Sequence, residues 1–441
     1  MQINNIFALQ GGSAKRTRRE KCTILQSVYD SVCATRNSNN PAPGKIIPDL
    51  KQDADSQPVS YRIFSSVEEM SVSFFGNSGN VFLSRPYLSA METAAPVGVE
   101  FRYAGIYRGG VPKGFFYFQI IPVFEKNTTR LIQPEPYHSL VKGILKLSSG
   151  ISGSSKKVYV IIQGNACLSG PWFWQAADDN LTCPPVDLEQ LHHSLKMEVG
   201  KKGKVLATVI KDLTSDYDAV SAFVKNQRFL QLPMQPLMQM SIRPEWKSMD
   251  DYVNSLSAKY RKRFLQAQSK LAGCEIRAFS LEEMVREKPA IDRLYEQVKE
   301  KSPVQLFRTD VTYLIALKKN LGDTISVKGI FHEGRLVAFL SGIRSGGHYE
   351  AHHIGIDYNL NRTHSLYLNI LFGYIQLAIE SGSSLLSFGR TAMEMKTTVG
   401  AVPVYQDTFL KFNHRILNSL VRPFIAKEPV QDWTPRDPFK R

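Results

Sequence analysis

The spacing of hydrophobic and polar residues changes several times along the chain, and each change predicts an element of secondary structure. Between residues 98 and 124, two aromatic and β-branched runs are separated by the Gly/Pro-containing segment 108–114, a pattern typical of a β-hairpin. The apolar run 158–162 lacks polar alternation, which predicts a strand buried on both faces. A helix is predicted near residues 187–197, and a further strand over 204–211.

The second half of the chain follows a similar order. One long helix is predicted over residues 250–272, because a plausible capping serine precedes it and a glycine follows it. After a strand and two helices, three strands with tight connections are predicted within residues 324–357. A helix over 363–381, a strand over 384–388, a short helix and a last strand near 402–409 complete the pattern.

These patterns predict an α/β (α+β) chain with two domains, each a mixed, mostly antiparallel sheet flanked by helices. We expect an N-terminal domain over 58–246, a C-terminal domain over 247–412 and a tail over 413–441. Residues 1–57 are predicted to form a flexible basic leader that contains the cluster Lys15–Arg19. A basic arm that contacts RNA or phosphate is the alternative for this leader.

Composition narrows the class of protein. The 441 residues carry 55 Lys+Arg and 40 Asp+Glu, a net charge of +15, which fits nucleic acid, an anionic membrane surface or a polyanionic ligand equally well. An apolar fraction of 43% excludes global disorder, and no uncharged apolar run of about 18 residues predicts a membrane span. Five scattered cysteines without a CxxC pair indicate a reducing compartment, so we predict a cytoplasmic protein.

The C-terminal half carries residues that resemble a known family. After the helix that ends at Gly382, segment 386–400 contains Phe-Gly-Arg, then Glu-x-Lys and then glycine. This order resembles the C-terminal signature of the FemAB-like branch of the GNAT acyltransferase superfamily, which is related to peptidoglycan aminoacyl transferases. The basic segment 259–263 resembles the Lys/Arg-rich segment before the second GNAT half of that branch. The resemblance covers residues 250–410 through motifs, and 80–245 only through the order of elements.

The resemblance implies two tandem GNAT-like domains and an N-acyltransferase that moves an acyl or aminoacyl group from an activated donor to an amine acceptor. It implies acyl-CoA or aminoacyl-tRNA as the co-substrate, no tightly bound cofactor, tRNA as a partner in the second case, and a small molecule or a cell-envelope precursor as the acceptor. It does not indicate an oligomeric state. A catalytically degenerate GNAT pair that binds an anionic ligand is the alternative, because segment 357–365 lacks the glycines of the superfamily's acetyl-CoA loop.

The strand predicted to end near residue 357 carries the candidate catalytic residues Glu350, His352 and His353. Strict alternation would place Glu350 and His352 on one face and His353 on the other. These groups could serve as a general base, position an amine, or line a polar edge. No further metal ligand follows at a recognisable spacing, so the sequence predicts no metal site.

Donor contacts are predicted at two further places. The helix that follows this strand begins with N–H groups that suit an anion, and the second place lies at the carboxyl end of strand 384–388. The predicted donor- or substrate-binding residues are Tyr358, Asn361, Arg362, Ser365, Tyr367, Gly389, Arg390, Glu394 and Lys396. Two alternatives remain open, namely that Asn361 or Thr363 only caps the helix and that Arg390 pairs with Glu394.

Basic residues are also concentrated in the predicted helix 250–272. They either form a solvated face or contact an RNA backbone, and they are Lys259, Arg261, Lys262, Arg263 and Lys270. No aromatic RNA-binding motif accompanies them, so the sequence leaves both interpretations open.

Overall fold

A computed structural model describes residues 57–76, 79–123, 157–177, 186–214, 217–301, 309–425 and 433–440. Apart from Gln57, the predicted leader and its basic cluster lie outside these residues. The described residues form two mixed sheets flanked by helices, so the predicted α/β fold is confirmed. Within the described ranges, no helix has the length and apolar character required to cross a bilayer.

Fifteen strands are present in the described residues. They are β1 (Val59–Phe64), β2 (Glu100–Arg108), β3 (Val111–Pro122), β4 (Val158–Gln163), β5 (Trp174–Ala176), β6 (Lys204–Leu213), β7 (Leu230–Leu232), β8 (Leu237–Ser241), β9 (Cys274–Ala278), β10 (Ile325–His332), β11 (Arg335–Ser345), β12 (His348–Ile356), β13 (Leu385–Ser387), β14 (Val402–Val404) and β15 (Asp407–Phe412).

The α-helices of the same residues are α1 (Arg85–Thr93), α2 (Leu188–Gly200), α3 (Asp218–Asn226), α4 (Met249–Ser255), α5 (Ala258–Ser269), α6 (Leu281–Arg286), α7 (Lys288–Lys301), α8 (Val311–Leu321), α9 (Tyr358–His364), α10 (Leu366–Glu380), α11 (Met393–Thr397) and α12 (Arg415–Ile425). The first sheet has the strand order β1-β2-β3-β4-β6-β15-β7, and β5 pairs with β3. The second sheet has the order β14-β8-β13-β12-β11-β10-β9.

The predicted hairpin forms β2 and β3, and its aromatic residues explain its stability. Tyr103 and Tyr117 lie opposite each other in the antiparallel register, and their rings stack with centroids 5.5 Å apart. Both side chains are buried, as are Phe115 and Phe116 in the same hairpin. Cross-strand aromatic pairs of this kind stabilise a sheet beyond simple burial of apolar area.

The two sheets exchange strands across the predicted domain boundary at residue 246. β8 precedes this boundary but pairs with β13 and β14 in the second sheet. The single strand predicted near residues 402–409 is wrong, because two strands form there and belong to different sheets. β14 pairs with β8, whereas β15 pairs with β6 and β7 of the first sheet. Hydrophobic spacing identifies a strand but carries no information about which sheet receives it.

The single helix predicted over residues 250–272 is also wrong, because α4 and α5 are separate helices. Leu256 leaves the helix with extended backbone angles and forms a β-bridge with Phe439. The amide of Ser257 donates to the carbonyl of Pro438 at 2.9 Å. A contact with residues near the C-terminus therefore interrupts a segment whose local sequence favours one helix.

Candidate active site

The second sheet opens where its parallel pair of strands separates. β12 pairs with β13 only from His348 to Glu350, and β12 then continues to Ile356. Within the described residues, no strand occupies the β13 side of β12 beyond Glu350. This opening borders a cavity of about 1510 Å³ whose walls come from α5, α7, β12, α9, α10 and the segment after β13.

The cavity brings together most of the residues predicted from the sequence. All of the predicted catalytic and donor-binding residues line it except Glu350 and Gly389. The lining residues of that set are His352, His353, Tyr358, Asn361, Arg362, Ser365, Tyr367, Arg390, Glu394 and Lys396. Their functional roles remain predictions, but their convergence on one cavity is a property of the fold.

A β-bulge changes the orientation predicted for the two adjacent histidines. Gly342 of β11 pairs with Ala351, whereas Leu340 pairs with Ile354, so His352 and His353 together lie opposite one residue. Their rings stack with centroids 4.1 Å apart and an interplanar angle of 10°. The prediction of opposite faces is therefore wrong, because the extra residue of a bulge interrupts the alternation of side chains.

Both histidines are neutral groups at the cavity wall. Burial lowers the pKa of His352 to about 3 and lowers that of His353 well below its usual value. Nε2 of His353 lies 3.2 Å from the hydroxyl of Tyr295. Within the described residues, Nε2 of His352 and Nδ1 of His353 are buried without a hydrogen-bond partner. A bound ligand could supply those partners, since buried polar atoms are rarely left unsatisfied.

Glu350 and Lys396 form a buried pair of titratable groups at the base of the opening. Burial raises the pKa of Glu350 to about 8 and lowers that of Lys396 to about 7, and each charge favours the charged form of the other. Nζ of Lys396 donates to the carbonyl of Gly389 at 3.2 Å. Lys396 lines the cavity, so it can exchange a proton with a ligand close to neutral pH.

Arg390 is committed to a buried ion pair rather than to Glu394. Its Nη2 donates to Oδ1 of Asp212 at 2.6 Å, and Lys211 also contacts Asp212. Although burial alone raises the pKa of Asp212, its two cationic neighbours keep that pKa below the usual value. Glu394 instead pairs with Arg436 at 2.7 Å on the exposed side of α11, so the predicted internal pair is not formed.

The turn between α9 and α10 forms another wall. Oδ1 of Asn361 accepts a hydrogen bond from the amide of Tyr367 at 2.9 Å, so its side chain satisfies one free N–H group at the start of α10, although the N-cap position belongs to Ser365. Ser365 adopts left-handed backbone angles (φ 49°) between the helices. The helix predicted over residues 363–381 is confirmed as α10, but the chain changes direction at Ser365, and the separate helix α9 before it was not predicted.

The described residues that line the cavity carry far more positive than negative charge. Among the described lining residues, one is acidic, Glu394, and seven are Lys or Arg: Arg263, Lys270, Lys299, Lys301, Arg362, Arg390 and Lys396. Arg263, Lys270, Lys301 and Arg362 have no carboxylate partner within the described residues. Such a concentration of uncompensated cations favours an anionic ligand.

Sequence reasoning missed the contribution of α7. Lys299 and Lys301 end this helix and line the cavity, and Nζ of Lys301 lies 3.5 Å from the centre of the Tyr358 ring. Nothing in the spacing of α7 links it to the segment after β12, which follows it by more than fifty residues. By contrast, the sequence shows the basic residues of the predicted helix 250–272, and two of those five cations, Arg263 and Lys270, line the cavity.

Comparison with known proteins finds a family domain in the part of the chain that forms this cavity. A family model for an acetyltransferase (GNAT) domain matches residues 258–397. No curated protein matches the chain significantly.

Several solved structures are similar to the chain at low identity. FemX has a TM-score of 0.48 and 11% identity, over 82% of this chain and 100% of FemX. A tandem GNAT protein from the clavulanic acid biosynthesis pathway has a TM-score of 0.44 and 10% identity, over 80% of this chain and 98% of its own. L-PGS from Bacillus licheniformis has a TM-score of 0.36 and 13% identity, over 62% and 83% respectively. The predicted resemblance is confirmed for residues 258–397, which match the model of a GNAT acetyltransferase domain.

Proposed function

We propose that this protein is an N-acyltransferase that moves an acyl or aminoacyl group from a phosphate-bearing donor, an acyl-CoA or an aminoacyl-tRNA, to an amine. The observation that carries the proposal is the cavity beside β12, where seven cations and one acidic residue surround the opening of the sheet. Both donors carry several phosphates, and Lys and Arg side chains bind phosphate through charge-assisted hydrogen bonds.

Positions within the cavity suggest a division of labour. Arg362, Lys270 and Lys301 are exposed residues of its wall and have no carboxylate partner among the residues that the structure describes, so we assign them to the donor's phosphates. His352 and His353 are neutral and present unpaired nitrogens, so we assign them to orienting the amine or the acyl carbonyl. Holding two reactants in a fixed geometry is a major part of catalysis in reactions of this kind.

Lys396 fits the role of the proton acceptor. Its pKa of about 7 leaves a substantial neutral fraction near pH 7. As the amine nitrogen bonds to the acyl carbon, its excess proton passes to Nζ of Lys396. The bond from the acyl carbon to the donor sulfur or oxygen then breaks, and the leaving group takes a proton back from Lys396. Where Glu350 is ionised, its carboxylate stabilises the transient ammonium charge, although burial keeps most of this group protonated near pH 7.

A donor screen tests this proposal. The full-length chain is mixed with acyl-CoAs of several lengths or with aminoacyl-tRNAs, together with a panel of amines, and products are identified by mass spectrometry. We expect one donor class to raise the melting temperature and to yield an amide product.

Two matched variants test whether the donor binds in the cavity. Arg362→Ala should weaken the donor's affinity by about 10- to 100-fold, because a charge-assisted contact is lost. Lys319→Ala removes an exposed cation on α8, outside the cavity, and should leave affinity unchanged. Donor binding without product in any pairing would instead favour the degenerate, ligand-binding alternative. The absence of any thermal shift with both donor classes would contradict donor binding itself.

A further inference from the structure

A second cluster of reactive side chains lies at the edge of the second sheet. Cys274 on β9 and His332 on β10 are direct partners in the antiparallel register. His364 ends α9 and packs against them, with its ring centroid 4.5 Å from that of His332. One ligand atom from each of the three residues lies within 4.8 Å of the others.

The distances match the needs of a small metal ion. Sγ of Cys274 lies 3.9 Å from Nδ1 of His332 and 3.8 Å from Nδ1 of His364. Tetrahedral Zn²⁺, with bonds of about 2.3 Å to sulfur and about 2.0 Å to nitrogen, places those atoms roughly 3.6 Å apart. A movement of a few tenths of an ångström therefore suffices for Cys274 and His332, whereas His364, whose Nδ1 is hydrogen bonded to the carbonyl of Lys270, would have to turn its ring and bind through Nε2.

One of the imidazoles also has the outer partner that orients a metal ligand. Nδ1 of His364 lies 2.9 Å from the carbonyl oxygen of Lys270, whereas Nε2 of His332 lies 3.9 Å from a carboxylate oxygen of Glu333, beyond hydrogen-bond distance. A carbonyl or carboxylate commonly fixes the ring and tautomer of a metal-ligating histidine in this way. In His364, a proton on Nδ1 donated to Lys270 leaves the lone pair on Nε2.

We propose that Cys274, His332 and His364 form a Zn²⁺ site, with water as the fourth ligand. A thiolate with two imidazoles suits Zn²⁺ because Zn²⁺ accepts both sulfur and nitrogen ligands in tetrahedral geometry. On binding, the Cys274 thiol gives up its proton to solvent and its sulfur bonds to the metal.

The site would fix the end of α9 to the edge of the sheet. His364 stands between Arg362 and Ser365, which both line the cavity. Its histidines follow Cys274 by 58 and 90 residues, which explains why spacing along the sequence did not reveal a site.

Metal binding to the full-length chain tests this inference independently of any acyl donor. Protein treated with a chelator is dialysed against ZnCl₂, and bound metal is measured by inductively coupled plasma mass spectrometry. We expect one Zn²⁺ per chain. Substitution with Co²⁺ should produce the intense visible absorption of a tetrahedral ion and a thiolate charge-transfer band in the near ultraviolet.

Matched variants connect the metal to the three residues. Cys274→Ser and His364→Gln should lose the bound metal and the charge-transfer band, whereas Cys167→Ser and His193→Gln should retain both. Circular dichroism in the presence of chelator establishes that each variant folds, and a Zn²⁺-dependent rise in melting temperature should occur only when all three ligands are present. Folded wild type that binds no Zn²⁺, or Cys274→Ser that keeps the cobalt band, would show that the cluster is a hydrogen-bonded group only.

Discussion

In the described residues each sheet contains one pair of neighbouring parallel strands, and the two pairs differ in how far they remain together. β4 and β6 pair along six residues of β4, whereas β12 and β13 pair along only three residues of β12. In the first sheet, Gln163 at the end of β4 is hydrogen bonded to the buried His192 at 2.8 Å. In the second, the corresponding end of the pair opens into the cation-lined cavity.

The contrast shows that two sheets with a similar order of strands can serve different functions. Burial lowers the pKa of His192 to about 3, so the closed end of the first sheet holds a neutral, hydrogen-bonded pair. The open end of the second sheet holds several cations that have no carboxylate partner in the described part of the chain, and two titratable groups with pKa values near neutrality. We therefore expect chemistry only at the second sheet, with the first contributing stability.

The largest effect is expected where the two sheets are joined. In Asp212→Asn, the buried Lys211 and Arg390 lose their counter-charge, so the free energy of unfolding should fall by about 3–5 kcal/mol. Asparagine preserves the shape and tolerates the left-handed backbone angles of Asp212 (φ 59°). Chemical denaturation measures the change, and the exposed Asp218→Asn is the control. A loss below about 1 kcal/mol would show that this ion pair does not join the sheets energetically.

A pair of variants should separate the roles of the open and closed ends. Lys396→Met should reduce kcat at least 100-fold, because the proton acceptor is removed, an effect of about 10²- to 10⁴-fold in general acid–base catalysis. Gln163→Leu should leave kcat unchanged but lower the free energy of unfolding by about 1–3 kcal/mol, since the buried His192 loses its partner. Steady-state kinetics and denaturation of both variants provide the measurements. Equal losses of kcat in both would contradict the assignment of chemistry to the second sheet.

The pH dependence of stability should report on the buried Glu350 at the open end. Folding raises the pKa of Glu350 from 4.5 to about 8, so between these values the folded state binds more protons than the unfolded state. The contribution of Glu350 to the free energy of unfolding therefore falls with rising pH, by at most about 1.4 kcal/mol per pH unit. Glu350→Gln should remove this slope between pH 5 and 8 in denaturation experiments. An unchanged slope would mean that Glu350 does not titrate abnormally.

The sequence predicted the elements better than their arrangement. The hairpin β2–β3 and the strands β9 to β13 follow from local hydrophobic spacing, and the structure confirms them. The exchange of β8 and β15 between sheets, and the break at Leu256, depend on contacts between residues far apart in the chain. Local patterns cannot report such contacts, because tertiary packing overrides helix and strand propensity.

The same limit applies to the candidate site. Motifs singled out residues that the structure brings to one cavity. Alternation gave the wrong face for one of the two adjacent histidines, because the bulge opposite Ser341 is not visible in the sequence. The predicted partner of Arg390 was a near neighbour on a helix, whereas its actual partner, Asp212, lies 178 residues earlier. The sequence thus identified which residues carry charge, but only the folded structure shows which of them form ion pairs.

The smallest effect concerns the turn that borders the open end. Asn361→Ala removes the hydrogen bond from the Tyr367 amide to Oδ1, so the free energy of unfolding should fall by about 1 kcal/mol, as for the loss of a helix cap. Asn359→Ala, on the same helix but exposed, is the matched control and should change little. Because Arg362 and Ser365 of this turn line the cavity, donor affinity should fall in the first variant and not in the second. A stability loss with unchanged donor affinity would show that the turn serves the fold alone, and that the phosphates are held by α5 and α7.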